Sequence, residues 1–215
     1  MAQRIAVIDY GMGNLRSVAK AVEHVTAPGD EVLVTDDPTL ILNSDRVVFP
    51  GQGAARDCMA AISDHHLNRA ILDAAQSKPF LGICMGQQVL MEFSEENGGT
   101  ELLGLYPGRV RHFPGGKSAD GTMLKIPHMG WNQVIPTHDH PLWAGIEPGS
   151  RFYFVHSYYV DPSESGLTAA TTEFGVSFAS AVSDKSLFAV QFHPEKSADD
   201  GLRLLKNFVN WNVSS

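Results

Sequence analysis

The stretch Pro79–Met91, which reads PFLGICMGQQVLM, decides the fold of this chain. Its first half is a short apolar run, Phe80–Ile83, introduced by a proline, and this pattern predicts a buried β-strand. The following segment, Gly86–Phe93, carries apolar residues at helical spacing and predicts a helix. Cys84 lies at the junction, with one glycine two residues before it and another two residues after it. A tight strand-to-helix turn needs small residues at both places because the backbones pass close together, so the stretch predicts a nucleophile elbow that carries cysteine.

Two flanking glycines alone leave Cys84 open to a second interpretation as a buried structural cysteine, since free cysteine is among the most buried residue types. The far end of the chain decides between the two interpretations. There a strand-like run, Leu187–Phe192, leads into His193-Pro194-Glu195. Proline forces the residue before it into an extended conformation, and residues i and i+2 of an extended segment point the same way. His193 and Glu195 are therefore expected to face one site, and thiol, imidazole and carboxylate are the groups that nucleophilic acyl transfer needs.

The Gly82–Gly86 and His193–Glu195 motifs together resemble the class I (triad) glutamine amidotransferases. A third block, Pro50–Gly53, follows the strand-like run Arg46–Phe49 and is similar to the oxyanion strand of that family. The resemblance implies an enzyme that hydrolyses the side-chain amide of glutamine. The catalytic residues that it implies are Cys84, His193 and Glu195, with oxyanion-hole N–H groups from the Gly51-Gln52 segment and Met85.

The same resemblance assigns the glutamine substrate to Gln88 and Glu96, with help from the backbone around Ser157 and Tyr158. Two simpler interpretations remain open, a helix-surface residue for Gln88 and a charged loop residue for Glu96. The chain departs from the family at Gln52, where a small apolar residue is usual. That departure leaves a backbone donor available but puts the local conformational preference of the oxyanion segment in doubt.

Further blocks narrow the resemblance to the glutaminase subunits of imidazole glycerol phosphate synthases, which belong to the histidine pathway. These blocks are Ile8–Ser17, Pro127–Asn132, Phe152–Tyr158 and Lys196–Ser197. The resemblance spans nearly the whole chain and implies a heterodimer with a (β/α)₈-barrel cyclase subunit that receives the ammonia. It suggests three docking residues, Asn14, Trp131 and Lys196, although Lys196 can also be read as an ordinary surface lysine. The alternatives are a glutaminase of another pathway such as pyridoxal phosphate synthesis, a cysteine hydrolase or peptidase of the same fold, and a catalytically silent binding subunit.

Composition limits the classes of protein to which the chain can belong. It has 215 residues, 43% of them hydrophobic and 19% charged, which suits one sizeable core and a single domain over residues 1–215. A net charge of −8 argues against nucleic acid or an acidic membrane surface as a partner. Cys58 and Cys84 form no C-x-x-C pattern, so neither a disulfide framework nor a zinc site is expected. With no signal sequence and no apolar run of membrane-spanning length, we expect a cytoplasmic protein.

Strand-like and helix-like patterns alternate through the first half, which predicts an α/β fold with a mainly parallel central sheet flanked by helices. Beyond Gly108 the pattern changes to additional antiparallel strands, predicted at Gly108–Phe113, Trp131–Ile135, Arg151–Val160, Leu167–Phe174 and Ser177–Val182. The chain should close with a helix, for which Ser197 and Asp200 suggest a capping box. The Gly11-x-Gly13 pair lacks the third glycine of a dinucleotide fingerprint, because Arg16 occupies that position. No cofactor is therefore expected, and without clustered ligands no metal is expected either.

Overall fold

Strands and helices alternate through the first half of the chain, as the sequence predicts. A computed structural model describes residues 2–116, 121 and 123–213. The elements of the first half are β1 (Arg4–Ile8), α1 (Leu15–Val25), β2 (Glu31–Thr35), α2 (Pro38–Asn43), β3 (Arg46–Gly51), α3 (Ala55–Asp64), α4 (Asn68–Ser77), β4 (Phe80–Cys84) and α5 (Met85–Gln88). Strands β2, β1, β3 and β4 pair in that order and in parallel. Every residue of β3 and β4 is buried, since helices cover both faces of a parallel sheet.

The second half adds mostly antiparallel strands. Its elements are β5 (Phe93–Ser94), β6 (Thr100–Glu101), β7 (Gly108–His112), β8 (His128–Gln133), β9 (Ile135–Pro136), β10 (Arg151–His156), β11 (Tyr158–Pro162), β12 (Thr168–Glu173), β13 (Ser177–Asp184), β14 (Leu187–Val190) and α6 (Ala198–Asn210). Strand β14 pairs in parallel with β4, and β13, β11 and β7 extend the same sheet by antiparallel pairing. Strands β8 and β10 form a separate antiparallel sheet. The α/β prediction, including the antiparallel additions, is confirmed.

The helix predicted over Gly86–Phe93 is wrong in length, because α5 ends at Gln88. The carbonyl oxygens of Val89, Leu90 and Met91 accept hydrogen bonds from the backbone N–H groups at positions 103, 106 and 104 instead of from a further helical turn. All three side chains are fully buried. The apolar pattern in this segment therefore reflects burial under a loop, which sequence periodicity does not distinguish from a helix.

Two further predictions are corrected where the chain changes direction. The expected strand Arg151–Val160 breaks at Ser157, so that β10 belongs to the small sheet and β11 to the large one. The expected capping box does not form, because the Ser197 hydroxyl donates to the carbonyl oxygen of His193 at 2.6 Å. The same hydroxyl accepts the N–H of Tyr153 at 2.9 Å. Ser197 therefore ties the start of α6 to β10 and to the segment that carries His193.

Two apolar clusters occupy the two faces of the large sheet. One includes Phe152, Phe188 and Phe192, and the other includes Tyr10, Phe49 and Phe80. Within the part of the chain that the structure describes, no helix is long and apolar enough to cross a membrane.

Candidate active site

Cys84 is the last residue of β4 and has a backbone conformation that residues other than glycine rarely adopt, with φ 57° and ψ −110°. The two flanking glycines are sterically required there. A Cβ on Gly86 would lie 1.8 Å from the carbonyl oxygen of Phe49, and one on Gly82 would lie 2.7 Å from the carbonyl oxygen of Gly86. This is the close backbone approach that the sequence predicts for a nucleophile elbow. Cys84 is only 6% exposed, so its thiol lies at the floor of a cavity and not on an open surface.

The strained backbone at Cys84 predicts an unusual order of stability. Cys84→Gly should be more stable than Cys84→Ala by about 1 kcal/mol. Glycine relieves about 1–3 kcal/mol of backbone strain in the native state, whereas the greater conformational entropy that it gives the unfolded chain lowers stability by about 0.4–1 kcal/mol. For a chain of this size the difference corresponds to about 2–4 °C in Tm. Thermal unfolding of the two variants measures it, and since both lack the thiol, the comparison isolates the backbone. An alanine variant at least as stable as the glycine variant would contradict strain at this position.

His193 and Glu195 form a buried pair beside Cys84. The distance between His193 Nδ1 and Glu195 Oε1 is 2.8 Å, and the two side chains are 2% and 1% exposed. His193 is extended, as its following proline requires, but residues 194–196 then form a turn of 3₁₀-helix. Glu195 therefore reaches the imidazole by folding back along this turn, and the expectation of a fully extended segment is wrong. Pairing of β14 with β4, which sets Val190 opposite Ile83, brings this segment next to Cys84.

The charges around His193 favour its protonated form. Burial by itself lowers the pKa of this imidazole, but the Cys84 sulfur and the Glu195 carboxylate outweigh burial and raise the pKa to about 10. His193 Nε2 is buried and bonds to no oxygen or nitrogen of the described residues. This nitrogen is therefore available to interact with the Cys84 sulfur and with a substrate. An imidazolium next to a cysteine favours the thiolate, which is the nucleophilic form.

The Gly51-Gln52 segment lies directly beside Cys84. Gly51 is the register partner of Cys84 across β3 and β4. A Cβ on Gly51 would lie 2.3 Å from the Tyr10 hydroxyl, so only glycine fits. The carbonyl oxygen of Gln52 accepts the thiol of Cys58 at 3.3 Å. Burial raises the pKa of Cys58 to about 11, which keeps this thiol protonated and able to donate.

The cavity above Cys84 has a volume of about 460 Å³ and contains most of the predicted site residues. Its lining comprises Gln52, Gly53, Cys84, Met85, Gln88, Glu96, Pro127, Val155, His156, Ser157, Tyr158, His193 and Lys196. The four predicted substrate-binding residues and the two predicted oxyanion residues Gln52 and Met85 therefore meet at one place. Gly51 lies behind the cavity wall, in a narrow crevice with Asn14 and Glu195.

Gln88 is buried, so the alternative of a helix-surface residue is wrong. Its Nε2 donates to the carbonyl oxygen of Tyr158 at 3.1 Å and to Gln191 Oε1 at 2.9 Å. Glu96 is half-buried at the cavity, and its Oε2 accepts the N–H of Ala55 at the start of α3, at 2.7 Å.

The three predicted docking residues lie on three different elements of the fold. Asn14 precedes α1 beside the crevice behind the cavity. Trp131 is 48% exposed on β8, outside the cavity lining. Trp131 and Lys196 are linked through Tyr153, whose ring centroid lies 6.2 Å from that of Trp131 and 6.0 Å from Lys196 Nζ. Tyr153 was not predicted from the sequence as a docking residue.

Sequence reasoning also missed Gln191, which is fully buried and donates through Nε2 to the Cys84 sulfur at 3.6 Å. The available signal was a single amide side chain inside the apolar run Leu187–Phe192. No group of three or more His, Cys, Asp or Glu side chains in the described ranges could hold a metal ion.

Three histidines with lowered pKa values predict acid sensitivity. Burial lowers the pKa of His156 to about 3 and those of His128 and His140 to about 4. Below pH 6.5 the unfolded chain binds protons that the native protein does not, so the free energy of unfolding should fall as pH drops from about 6.5 to 4. Each such proton contributes about 1.4 kcal/mol per pH unit.

Denaturant titrations between pH 7 and 4.5 measure this slope. The variant His156→Asn removes one of the three titrating groups, so its slope should be smaller by about 1.4 kcal/mol per pH unit near pH 5. Identical slopes for the variant and the parent would show that His156 is already protonated in the native protein.

Comparison with known proteins identifies the family. The glutamine amidotransferase class-I family model matches residues 6–211. The imidazole glycerol phosphate synthase subunit HisH of Aromatoleum aromaticum is 56% identical, over 96% of this chain and 98% of that protein. The HisH subunit of Thiobacillus denitrificans is 58% identical, over 99% of this chain and 93% of that protein.

Solved structures share the fold at low sequence identity. PurLQS from Thermotoga maritima superposes with a TM-score of 0.68 at 20% identity, covering 98% of this chain and 99% of that chain. A glutamine amidotransferase from Thermotoga maritima has a TM-score of 0.60 at 18% identity, covering 94% of this chain and 80% of that chain. With its family match and its near full-length relatives, the chain belongs to the class-I glutamine amidotransferase family, in the group of imidazole glycerol phosphate synthase HisH subunits.

Proposed function

We propose that this chain is the glutaminase subunit of an imidazole glycerol phosphate synthase, that it acts in histidine biosynthesis, and that it works in the cytoplasm. Residues 1–215 form one glutaminase domain, and the acceptor of ammonia is a cyclase subunit on a second chain. The observation that carries the proposal is the buried His193–Glu195 pair beside Cys84, at the floor of a cavity of about 460 Å³.

The proposed reaction has two halves that use the same imidazole. The Cys84 thiolate attacks the side-chain carboxamide of glutamine, and a carbon–sulfur bond forms. His193 protonates the leaving nitrogen, so that ammonia departs as the carbon–nitrogen bond breaks. His193 then takes a proton from water, which attacks the thioester; the carbon–sulfur bond breaks, glutamate is released, and the Cys84 thiolate and the protonated His193 are restored. Glu195 accepts the Nδ1–H of His193 throughout, holding the ring orientation and stabilising its charged form.

The tetrahedral intermediate needs N–H donors aimed at its oxyanion. The N–H of Met85, the residue after the nucleophile, supplies one in this proposal. The peptide between Gly51 and Gln52 supplies the second when it points inward. Gly51 stands opposite Cys84 in the sheet, and this proximity supports the proposed donor role of that peptide.

Glutamine recognition follows from which polar atoms remain available. Both N–H groups of the Gln88 amide are engaged by Tyr158 and Gln191, so Gln88 offers its carbonyl oxygen to a substrate N–H. Glu96 accepts the N–H of Ala55 through Oε2, so its other carboxylate oxygen can pair with the α-ammonium group of glutamine. The backbone at Ser157 and Tyr158 completes the site.

The product ammonia explains why a partner is proposed. Ammonia is protonated in water and loses its nucleophilicity, so a glutaminase of this kind needs an acceptor that receives it directly. The described residues are occupied by one α/β domain and its small accessory sheet. The proposed docking surface includes Asn14, Trp131 and Lys196, with Met129 adding an exposed apolar side chain on β8.

Glutamine turnover tests the proposal when measured for the chain alone, with the cyclase of the same organism, and with cyclase plus its nucleotide substrate. We expect little turnover alone and a marked rise with both additions, because binding should bias the Gly51-Gln52 peptide toward its inward-facing arrangement. Full turnover by the isolated chain, unchanged by the additions, would contradict activation by the cyclase and its nucleotide but not the glutaminase function. Cleavage of a peptide panel without glutamine turnover would instead identify a peptidase.

A further inference from the structure

Two buried histidines face each other at the end of the small sheet, and the proposed reaction uses neither. His128 on β8 and His156 on β10 are register partners, and His128 Nδ1 lies 2.9 Å from His156 Nε2. They are 4% and 6% exposed. The His128 ring is sandwiched between Phe154 and Phe174, at centroid distances of 4.8 and 4.2 Å. The His156 ring lies 5.1 Å from that of Phe113, so apolar packing holds both imidazoles in place.

The hydrogen bonds around the two histidines all have the same donor-to-acceptor direction, from Asn132 toward Tyr158. Asn132 Oδ1 accepts the N–H of Gln133 at 2.8 Å, which identifies the other amide atom as the donor. Asn132 Nδ2 therefore donates to His128 Nε2 at 3.1 Å. His128 must then carry its proton on Nδ1 and donate to His156 Nε2. His156 in turn carries its proton on Nδ1 and donates to the carbonyl oxygen of Tyr158 at 2.7 Å.

This series of bonds ends at the wall of the glutamine cavity. Ser157 is the point where the chain leaves the small sheet for the large one, and His156, Ser157 and Tyr158 all line the cavity. The carbonyl oxygen of Tyr158 also accepts Gln88 Nε2 at 3.1 Å. The carbonyl oxygen of Tyr158 therefore accepts hydrogen bonds from both His156 and Gln88.

We propose that His128 and His156 are positioning residues of the glutamine site, which hold the Tyr158 carbonyl and thereby orient the Ser157–Tyr158 backbone and the Gln88 amide toward the substrate. This inference rests on the proposed glutaminase function. Neither imidazole serves as an acid or base, since burial lowers the pKa of both and keeps them neutral. Neutral rings are what a series of alternating donors and acceptors requires.

Two near-isosteric variants of His156 separate positioning from packing. In His156→Asn the amide nitrogen occupies the place of Nδ1 and can still donate to Tyr158. In His156→Gln the amide reaches the place of Nε2, where its oxygen can accept from His128, but the donor to Tyr158 is lost. With cyclase and nucleotide present, we expect the KM for glutamine to rise about tenfold in His156→Gln and less than threefold in His156→Asn, with kcat changing less than KM in both.

The control is His140→Gln, which removes a half-buried histidine that does not line the cavity and should leave the KM unchanged. Nitrogen-15 chemical shifts of the unmodified protein give a second readout that needs no variant, and both His128 and His156 should be Nδ1–H tautomers. Equal KM values for the two His156 variants, or an Nε2–H tautomer at either ring, would overturn the inference while glutamine turnover stands. Absence of turnover in the unmodified complex would overturn the proposed function itself, and the inference with it.

Discussion

Cys84→Ala should abolish glutamine hydrolysis, with a loss in kcat on the order of 10⁶-fold, comparable to removal of the nucleophile from a serine-protease triad. Without the sulfur no thioester can form, and an oxyanion hole with bound substrate retains only a small residual rate. The measurement is glutamate release in the complex with cyclase and nucleotide. Cyclase binding and the far-UV spectrum should be retained, because the change removes one sulfur atom at the cavity floor.

Covalent labelling distinguishes the two cysteines directly. A glutamine analogue that alkylates thiols should modify Cys84 and spare Cys58, which is fully buried and whose pKa burial raises to about 11. Mass spectrometry of digested protein locates the label. Modification of Cys58 with Cys84 untouched, or glutamate release by Cys84→Ala close to that of the parent, would show that the nucleophile is misassigned.

Glu195→Gln should lower kcat by about 10⁴-fold, the loss seen for the corresponding Asp→Asn change in a serine-protease triad. The amide keeps the shape of the carboxylate but removes the charge that, with the Cys84 sulfur, raises the pKa of His193. It can also present an N–H to Nδ1 and so favour the wrong tautomer. Because Glu195 is 1% exposed, solvent cannot replace the lost charge.

Initial rates at saturating glutamine measure this effect, and the pH profile supplies a second readout. Loss of the carboxylate should move the ionisation of His193 to lower pH, since burial, which opposes the charged form, then acts with less compensation. For the pH profile, Lys196→Gln is a useful comparison, because it removes a charge within the same turn but leaves the His193–Glu195 bond. Rates for Glu195→Gln equal to those of the parent would exclude Glu195 from the mechanism.

Local features of this fold were predictable from the sequence because their causes act over a few residues. The apolar run of β4 and the glycines on either side of Cys84 specify a strand followed by a sharp turn. The same holds for His193, whose extended backbone follows from Pro194. The alternation of strands and helices in the first half likewise predicts a parallel sheet, and parallel strands place their carboxyl ends at one edge.

Other features depend on partners far away in the chain, and only the tertiary structure decides them. Helix α5 stops at Gln88 because backbone N–H groups between positions 103 and 106 take up the next carbonyl oxygens. Gln191 reaches the Cys84 sulfur across 107 positions, and His128 meets His156 across 28. Sequence periodicity records which side chains are buried. It does not record which distant donor satisfies a given acceptor, because that choice is made only when the strands come together in their final order.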